Sequence, residues 1–196
     1  AAVTVVDISS GMLELDRRVA AERGLQVRTV ETSMDQLSAF DNAEFDIVVQ
    51  PVSTCYVPKI ETVYQQVARV MRIGGIYISQ HKQPTSLQAD IRISQHGYEL
   101  TEPYYRDDPL PNVKGSRHRE DGTLEYLYRW EELVGHLCRS GFVLEDLVEP
   151  LHADPAAEAG SFDHRSYYIP PYVRFKARRT TGHGEDESDT KQIVVL

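Results

Sequence analysis

Much of what narrows this 196-residue chain is what it lacks. No apolar run approaches the about 20 residues that a bilayer-spanning helix needs. The opening residues have neither a basic stretch nor the long apolar core of a secretory leader, and no initiating Met precedes them. Cysteine is scarce. Cys55 and Cys138 stand without a pairing framework, which fits a reducing, cytoplasmic setting. Cys138 reads as core packing on a helix and Cys55 as a free loop thiol. Basic charge is in deficit: 21 Lys and Arg against 30 Asp and Glu leave a net charge of -9. That balance argues against a nucleic-acid partner, since phosphates demand a basic face. The local cluster Arg174, Lys176, Arg178 and Arg179 reads as the solvated edge of an alternating strand. The histidines lack metal-ligand spacing, and no Ser-His-Asp set or phosphate loop stands out.

What is present reads as one α/β domain. Residues 3–6, VTVV, form an apolar strand ending at Asp7. Ser9 or Ser10 can cap a helix whose apolar face is Ile8, Met12, Leu15 and Val19, and Gly24 stops it. QVRTVE, 26–31, alternates as a strand, and a short polar stretch with a short helix follows. FDIVVQ, 45–50, is a continuous apolar run, the mark of a strand buried on both faces. Residues 60–71 place Ile60, Val63, Tyr64, Val67, Val70 and Met71 on one helical face. Gly74 and Gly75 end that helix, and IYISQ, 76–80, is the next strand. This order predicts a Rossmann-like, doubly wound, mostly parallel sheet.

The pattern then changes. Residues 83–128 have no sustained period and read as a lid or substrate insert. Residues 129–142 read as a helix with Trp130, Leu133, Val134, Leu137 and Cys138 on its face. A strand follows at 142–150, then a second insert at 151–170. The last strand, 172–179, is expected to pair antiparallel at the sheet edge. The expected organisation is a domain over 1–179 and an acidic, disordered tail over 180–196.

Asp7 carries the first functional signal. A carboxylate at the end of a parallel strand can accept hydrogen bonds from both ribose hydroxyls of a nucleotide cofactor, or it can cap the following helix. His81 follows the strand at 76–80, at the end where ligands bind in open α/β sheets, and is the candidate general base. Lys82 and Gln83 can meet an anionic or carbonyl group there. Tyr56, Tyr104, Tyr105 and Tyr128 are candidates to line an acceptor pocket, or else packing that holds a lid down. His118, in GSRHRE, faces either the site or solvent.

VTVVDISSGML, FDIVVQPVSTCYV and RVMRIGGIYISQ, in this order, resemble the class I S-adenosylmethionine-dependent methyltransferases of the ubiquinone and menaquinone biosynthesis type. The third is similar to that family's "VLKPGG" signature, with Ile73 where Pro is usual. TLEYLYRWEELVGHLCRSGFVLEDLVEP is similar to its late helix, turn and sixth strand. The resemblance covers most of the chain outside the inserts and tail. It implies that Asp7 holds the cofactor ribose and Ile8 packs on adenine. It aligns TSMDQL with the segment that meets the adenine edge, where Ser33 replaces the usual Asp, Met34 offers its backbone N–H, and Asp35 can supply the lost carboxylate. It puts Gln50, Pro51 and Val52 beside the methionine part. It implies S-adenosyl-L-methionine as cofactor, S-adenosylhomocysteine as product, and in-line methyl transfer to a small organic acceptor.

The family's first strand and glycine-rich turn have no counterpart at the start of this sequence. The only G-x-G is Gly182-His183-Gly184, with no apolar strand leading into it. The expectation is an N-terminally incomplete domain with raw strand edges that a swapped or homodimeric arrangement can cover. Two other readings stay open. In one, Asp7 serves a nicotinamide-dependent oxidoreductase; in the other, the sheet is a non-catalytic scaffold or dimerisation module.

Overall fold

A computed structural model describes residues 1–116 and 119–180. His118, the Gly182-His183-Gly184 turn, the IVVL end and the rest of the tail from 181 lie outside the described residues. Strands β1 (Thr4–Asp7), β2 (Arg28–Glu31), β3 (Phe45–Gln50), β4 (Met71–Lys82), β5 (Phe142–Val148) and β6 (Tyr172–Arg179) form the sheets. Helix α1 (Ser10–Glu22) joins β1 to β2, and α2 (Ile60–Val70) joins β3 to β4. Ser9 caps α1 by accepting the Met12 N–H, and Gly24 follows its end at a φ of 64°.

The strands are split into two sheets. β1 and β2 pair parallel, and a second sheet runs β3-β4-β6-β5. Within it β3 and β4 are parallel, while β6 is antiparallel to both β4 and β5. The fold is a mixed α/β, Rossmann-like one. β6 has a partner on each side, so the outer strand is β5 and not, as the sequence suggested, β6. The basic cluster on β6 is also not a bare edge: Lys176 and Arg178 pair with Glu145 on β5, and Arg174 reaches Gln80 on β4.

One face of the four-stranded sheet carries the main core. Tyr64, Val63 and Val67 of α2 pack there with Tyr77, Val173, Phe175, Ala177, Leu133 and Leu137. Each large side chain fully withdrawn from water contributes about 1.5–3 kcal/mol. The opposite face is less covered. Ile47 and Val49 are 62% and 68% exposed, so β3 is buried on one face and not on two. Ile8, Met12, Leu15 and Val19 are likewise exposed, and α1 buries Leu13 and Ala20 instead. A smaller cluster of Leu37, Phe40 and Val70, with Val6, Val30 and Phe45 against it, joins the two sheets.

Other local expectations change for local reasons. No helix forms between β2 and β3, because Arg69 of α2 holds that segment by donating to the Leu37 and Phe40 carbonyls at 2.7 and 2.9 Å. The 129–142 stretch is a π-helical turn, Glu131–Gly135, followed by the short α4, His136–Arg139. That register leaves Cys138 exposed, while Cys55, in the turn after β3, is buried. The inserts are not structureless, since they carry α3 (Pro84–Gln88) and α5 (Phe162–Tyr168).

The start of β4 depends on glycine. Gly74 has a φ of 83°, and a Cβ on Gly75 would lie 2.8 Å from the Asp46 carbonyl and 2.9 Å from that of Arg72. Backbone oxygens cannot retreat as a flexible side chain can. Gly75→Ala should therefore destabilise the chain by about 2 kcal/mol, read from urea unfolding. A loss below about 0.5 kcal/mol would mean that β3 and β4 can part at this point.

Candidate functional site

Three sequence-distant segments meet at the C-terminal ends of β1, β2 and β3. Asp7 ends β1, and its Oδ1 accepts the Ser9 N–H at 2.8 Å. Its Oδ2 has no partner among the described residues. The Asp7 carbonyl accepts the Thr32 N–H at 3.1 Å, which ties β1 to the TSMDQL turn. In that turn Ser33 donates to Asp35. Met34 then bridges to β3, where Gln50 Nε2 donates to its sulfur at 3.0 Å. Gln50 is buried and fixed from behind by the Tyr77 hydroxyl. Ile8, 71% exposed, flanks this group.

An open carboxylate oxygen, an exposed aliphatic side chain and a polar turn on one rim suit a nucleoside: hydroxyls for Asp7, a ring face for Ile8, ring-edge groups for Ser33 and Asp35. The described residues thus fit the adenosine part of S-adenosylmethionine. They include no glycine-rich turn for its methionine part.

Past β3 the chain turns through Pro51 and Val52 into a 3-10 turn, Thr54–Tyr56. Beside it opens a cavity of about 280 Å³ lined by Val52, Tyr56, Lys82, Ser116, Arg119, Glu120 and Tyr172. Two expected acceptor residues, Tyr56 and Lys82, meet there with Val52 of the expected cofactor loop. The Tyr56 hydroxyl donates to Glu120 at 2.9 Å, and burial pushes its acidity well away from neutral pH. Behind the cavity Glu125 is 0% exposed and paired with Lys82 at 3.2 Å and Arg119 at 2.7 Å.

The other expected acceptor residues are elsewhere. Tyr128 is buried and donates to the Val57 carbonyl. The Tyr104 hydroxyl accepts the Trp130 N–H at 3.2 Å. Tyr105 stands exposed with Arg129 over its ring at 5.2 Å. These three brace the first insert and do not line the cavity.

His81 is the main correction. The ladder to β6 continues through His81↔Val173 and Lys82↔Tyr172, so β4 outruns the expected strand. Alternation then turns His81 into the core, 1% exposed. Thr54 Oγ1 lies 2.8 Å from Nδ1 and Ser79 Oγ 2.8 Å from Nε2. Burial lowers its pKa to about 3, so the ring is neutral. With both nitrogens engaged it is a core hydrogen-bonding group, and the loop-borne general base is withdrawn.

Arg119, Glu120, Glu125, Ser116 and Tyr172 escaped the sequence reading. The first four lie in an aperiodic insert, where spacing says nothing of direction. The one available signal was GSRHRE, a cluster of ionisable residues beside EYLY.

Residues 1–79 match the methyltransferase domain family. The chain is 32% identical over 151 residues to the uncharacterized methyltransferase YbaJ of Bacillus subtilis (strain 168), covering 75% of this chain and 59% of that protein. It is 32% identical over 114 residues to the 24-methylenesterol C-methyltransferase 2 of Oryza sativa subsp. japonica, covering 56% of this chain and 31% of that enzyme. The chain thus spans less than two thirds of the length of either relative. In fold it is similar to the structure of an S-adenosylmethionine-dependent methyltransferase from Mesorhizobium loti, with a TM-score of 0.70 and 20% identity over 91% of this chain and 80% of that one.

The His81 geometry has a pH consequence. The unfolded chain takes up a proton at an ordinary histidine pKa of 6.5, whereas the folded chain resists it down to about 3. Between those values the unfolded state binds more protons, so stability falls as pH falls. The slope from this one residue is at most about 1.4 kcal/mol per pH unit. His81→Gln should lose that part of the dependence in urea titrations at pH 4 to 7. Parallel curves for the two proteins would show that the folded ring can be protonated.

Proposed function

We propose that this chain is a class I S-adenosylmethionine-dependent methyltransferase, a reading supported by its similarity to that domain family and fold, and that it transfers a methyl group to a small organic acceptor by in-line displacement. The observation that carries this reading is the meeting of Asp7, the Ser33–Asp35 turn and the Gln50–Val52 loop on one rim, next to an open polar cavity. That similarity favours S-adenosylmethionine over a nicotinamide cofactor at Asp7. The proposal treats residues 1–179 as one domain, with both inserts part of it.

When bound, the cofactor supplies an electrophilic methyl on a sulfonium, with a neutral thioether as leaving group. Asp7 holds the ribose through its open oxygen, and Ile8 covers the adenine. Met34 gives its backbone N–H to the ring, and Ser33 and Asp35 meet the ring edge. Gln50, Pro51 and Val52 would hold the cofactor's methionine part beside the cavity. Val52 and Tyr56 flank the acceptor, and Lys82 lines the far side. Orientation of this kind replaces a bimolecular encounter and supplies much of the acceleration.

Proton transfer falls to few groups. His81 is neutral and enclosed. Tyr56 stays protonated, because burial raises its pKa. Glu120, which accepts from the Tyr56 hydroxyl, is the group placed to take a proton from an acceptor hydroxyl. Among the described residues no helix is long and apolar enough to cross a membrane, and an acceptor delivered from solution suits the open cavity.

The scaffold reading draws on the gap between β1 and β3, which do not pair. The two strand edges there are the surfaces at which a homodimer would form. S-adenosylhomocysteine discriminates between catalyst and scaffold. At a hundredfold excess over Kd it should stabilise the chain by about 2.7 kcal/mol, seen as a dose-dependent rise in melting midpoint. Asp7→Ala should weaken its binding about tenfold or more. A cooperative melt that ignores the ligand would favour the scaffold.

A further inference from the structure

The cavity beside Lys82 has an asymmetric polar wall. Arg119 is the key. Its side chain is 10% exposed and its Nε is spent on Glu125 at 2.7 Å. Among the described residues its two terminal nitrogens have no partner. A guanidinium presents paired donors in a fixed plane, the geometry that matches a carboxylate. Tyr172 lines the same cavity, and its hydroxyl also has no described partner. Two unspent donors therefore share one small space, and one of them carries a charge.

Glu125 makes this a built arrangement. Its carboxylate is wholly enclosed and takes donors from Lys82, from Arg119 and from the Glu120 amide at 3.2 Å. A buried carboxylate with those partners locks the Arg119 side chain in one orientation, so its free edge needs no further ordering to bind. The ligand's charge is bounded too. Glu120 lines the cavity and is exposed to water, which screens it, whereas Arg119 is largely enclosed and acts at lower dielectric. One negative charge is favoured there. Two on one group would meet both Glu120 and Glu125.

We propose that Arg119 and Tyr172 bind a carboxylate on the methyl acceptor, which makes the acceptor a small monoanionic carboxylic acid. The cavity of about 280 Å³ fits a compact molecule, near the lower bound of about 300 Å³ for ligand pockets. The carboxylate is the handle, and the nucleophilic atom lies toward Val52 and Tyr56. This assignment rests on the methyltransferase reading of the same site.

The test uses the full chain with benzoate, benzamide and phenyl phosphate as probes, each titrated by calorimetry or NMR, and S-adenosylhomocysteine titrated in parallel. Benzoate should bind about tenfold or more tightly than benzamide and more tightly than phenyl phosphate. Arg119→Gln should remove that preference. Because this variant leaves Glu125 short of a partner and can fail to fold, Tyr172→Phe serves beside it, with an expected severalfold loss for benzoate. Cofactor binding with no preference for benzoate over benzamide, or with tighter phenyl phosphate, overturns the inference and leaves the methyltransferase reading standing. Benzoate selectivity without any cofactor binding overturns the acceptor role together with that reading.

Discussion

A carboxylate with no access to water has to be matched or it unfolds its surroundings, and Glu125 is such a group. Removing one partner of a buried pair costs about 3–5 kcal/mol. Glu125 and Arg119 both sit in the last part of the first insert, and Lys82 closes β4. One side chain therefore fixes where a long irregular segment lies against the sheet. Arg165 does the same for the second insert. It is fully buried on α5, yet no carboxylate among the described residues pairs with it; it donates to Ser86 Oγ and to the carbonyls of Ser86, Ala89 and Asp90. Two of those carbonyls lie in and just past the last turn of α3, where a cation is favoured by the helix dipole. These buried polar contacts pin the two inserts to each other and to β4, beside the apolar cluster of Leu87, Leu110 and Leu127 and the contacts of the Tyr98 ring with His164 and Tyr168.

β4 passes that constraint to the rest of the fold. Its period-two alternation sends Tyr77, Ser79 and His81 into the core, each with a polar task. Tyr77 holds Gln50, Gln50 holds Met34, and His81 holds Thr54 at the turn that presents Tyr56. A buried chain of this sort is stable only when every member is satisfied. Here it connects the rim of Asp7 and Gln50 to the cavity beside Lys82 through one strand. The neutrality of His81 is part of the same design, since a charged imidazole at that depth would lack a counter-ion.

What the sequence revealed follows from what periodicity can encode. α2 was legible because its apolar residues recur at helical spacing, and β6 because YVRFKARR alternates. Asp7 was legible because a strand end and a cap leave little freedom in where a side chain sits. His81 was misplaced because strand length is set by a partner: β6 carries the ladder two residues past Gln80. The bare face of β3 was missed because an apolar run cannot say what covers it. Arg119 and Glu125 were invisible because their meaning lies in the contact of Glu125 with Lys82 across 43 residues of chain, and no local pattern records that.

The split sheet bears on function as well as form. β1 and β2 are joined to the larger sheet chiefly through Leu37, Phe40 and Val70 and the segment that Arg69 grips. Few buried apolar contacts place that junction at the low end of local stability. The rim proposed for the cofactor straddles it, with Asp7 on the smaller sheet and Gln50 on the larger. A ligand held by both would stabilise the junction along with itself, because it binds only when the two sheets keep their relative position. Binding and domain order are then one equilibrium. The Met34–Gln50 contact, the only side-chain hydrogen bond described between that turn and β3's last residue, is where the two meet.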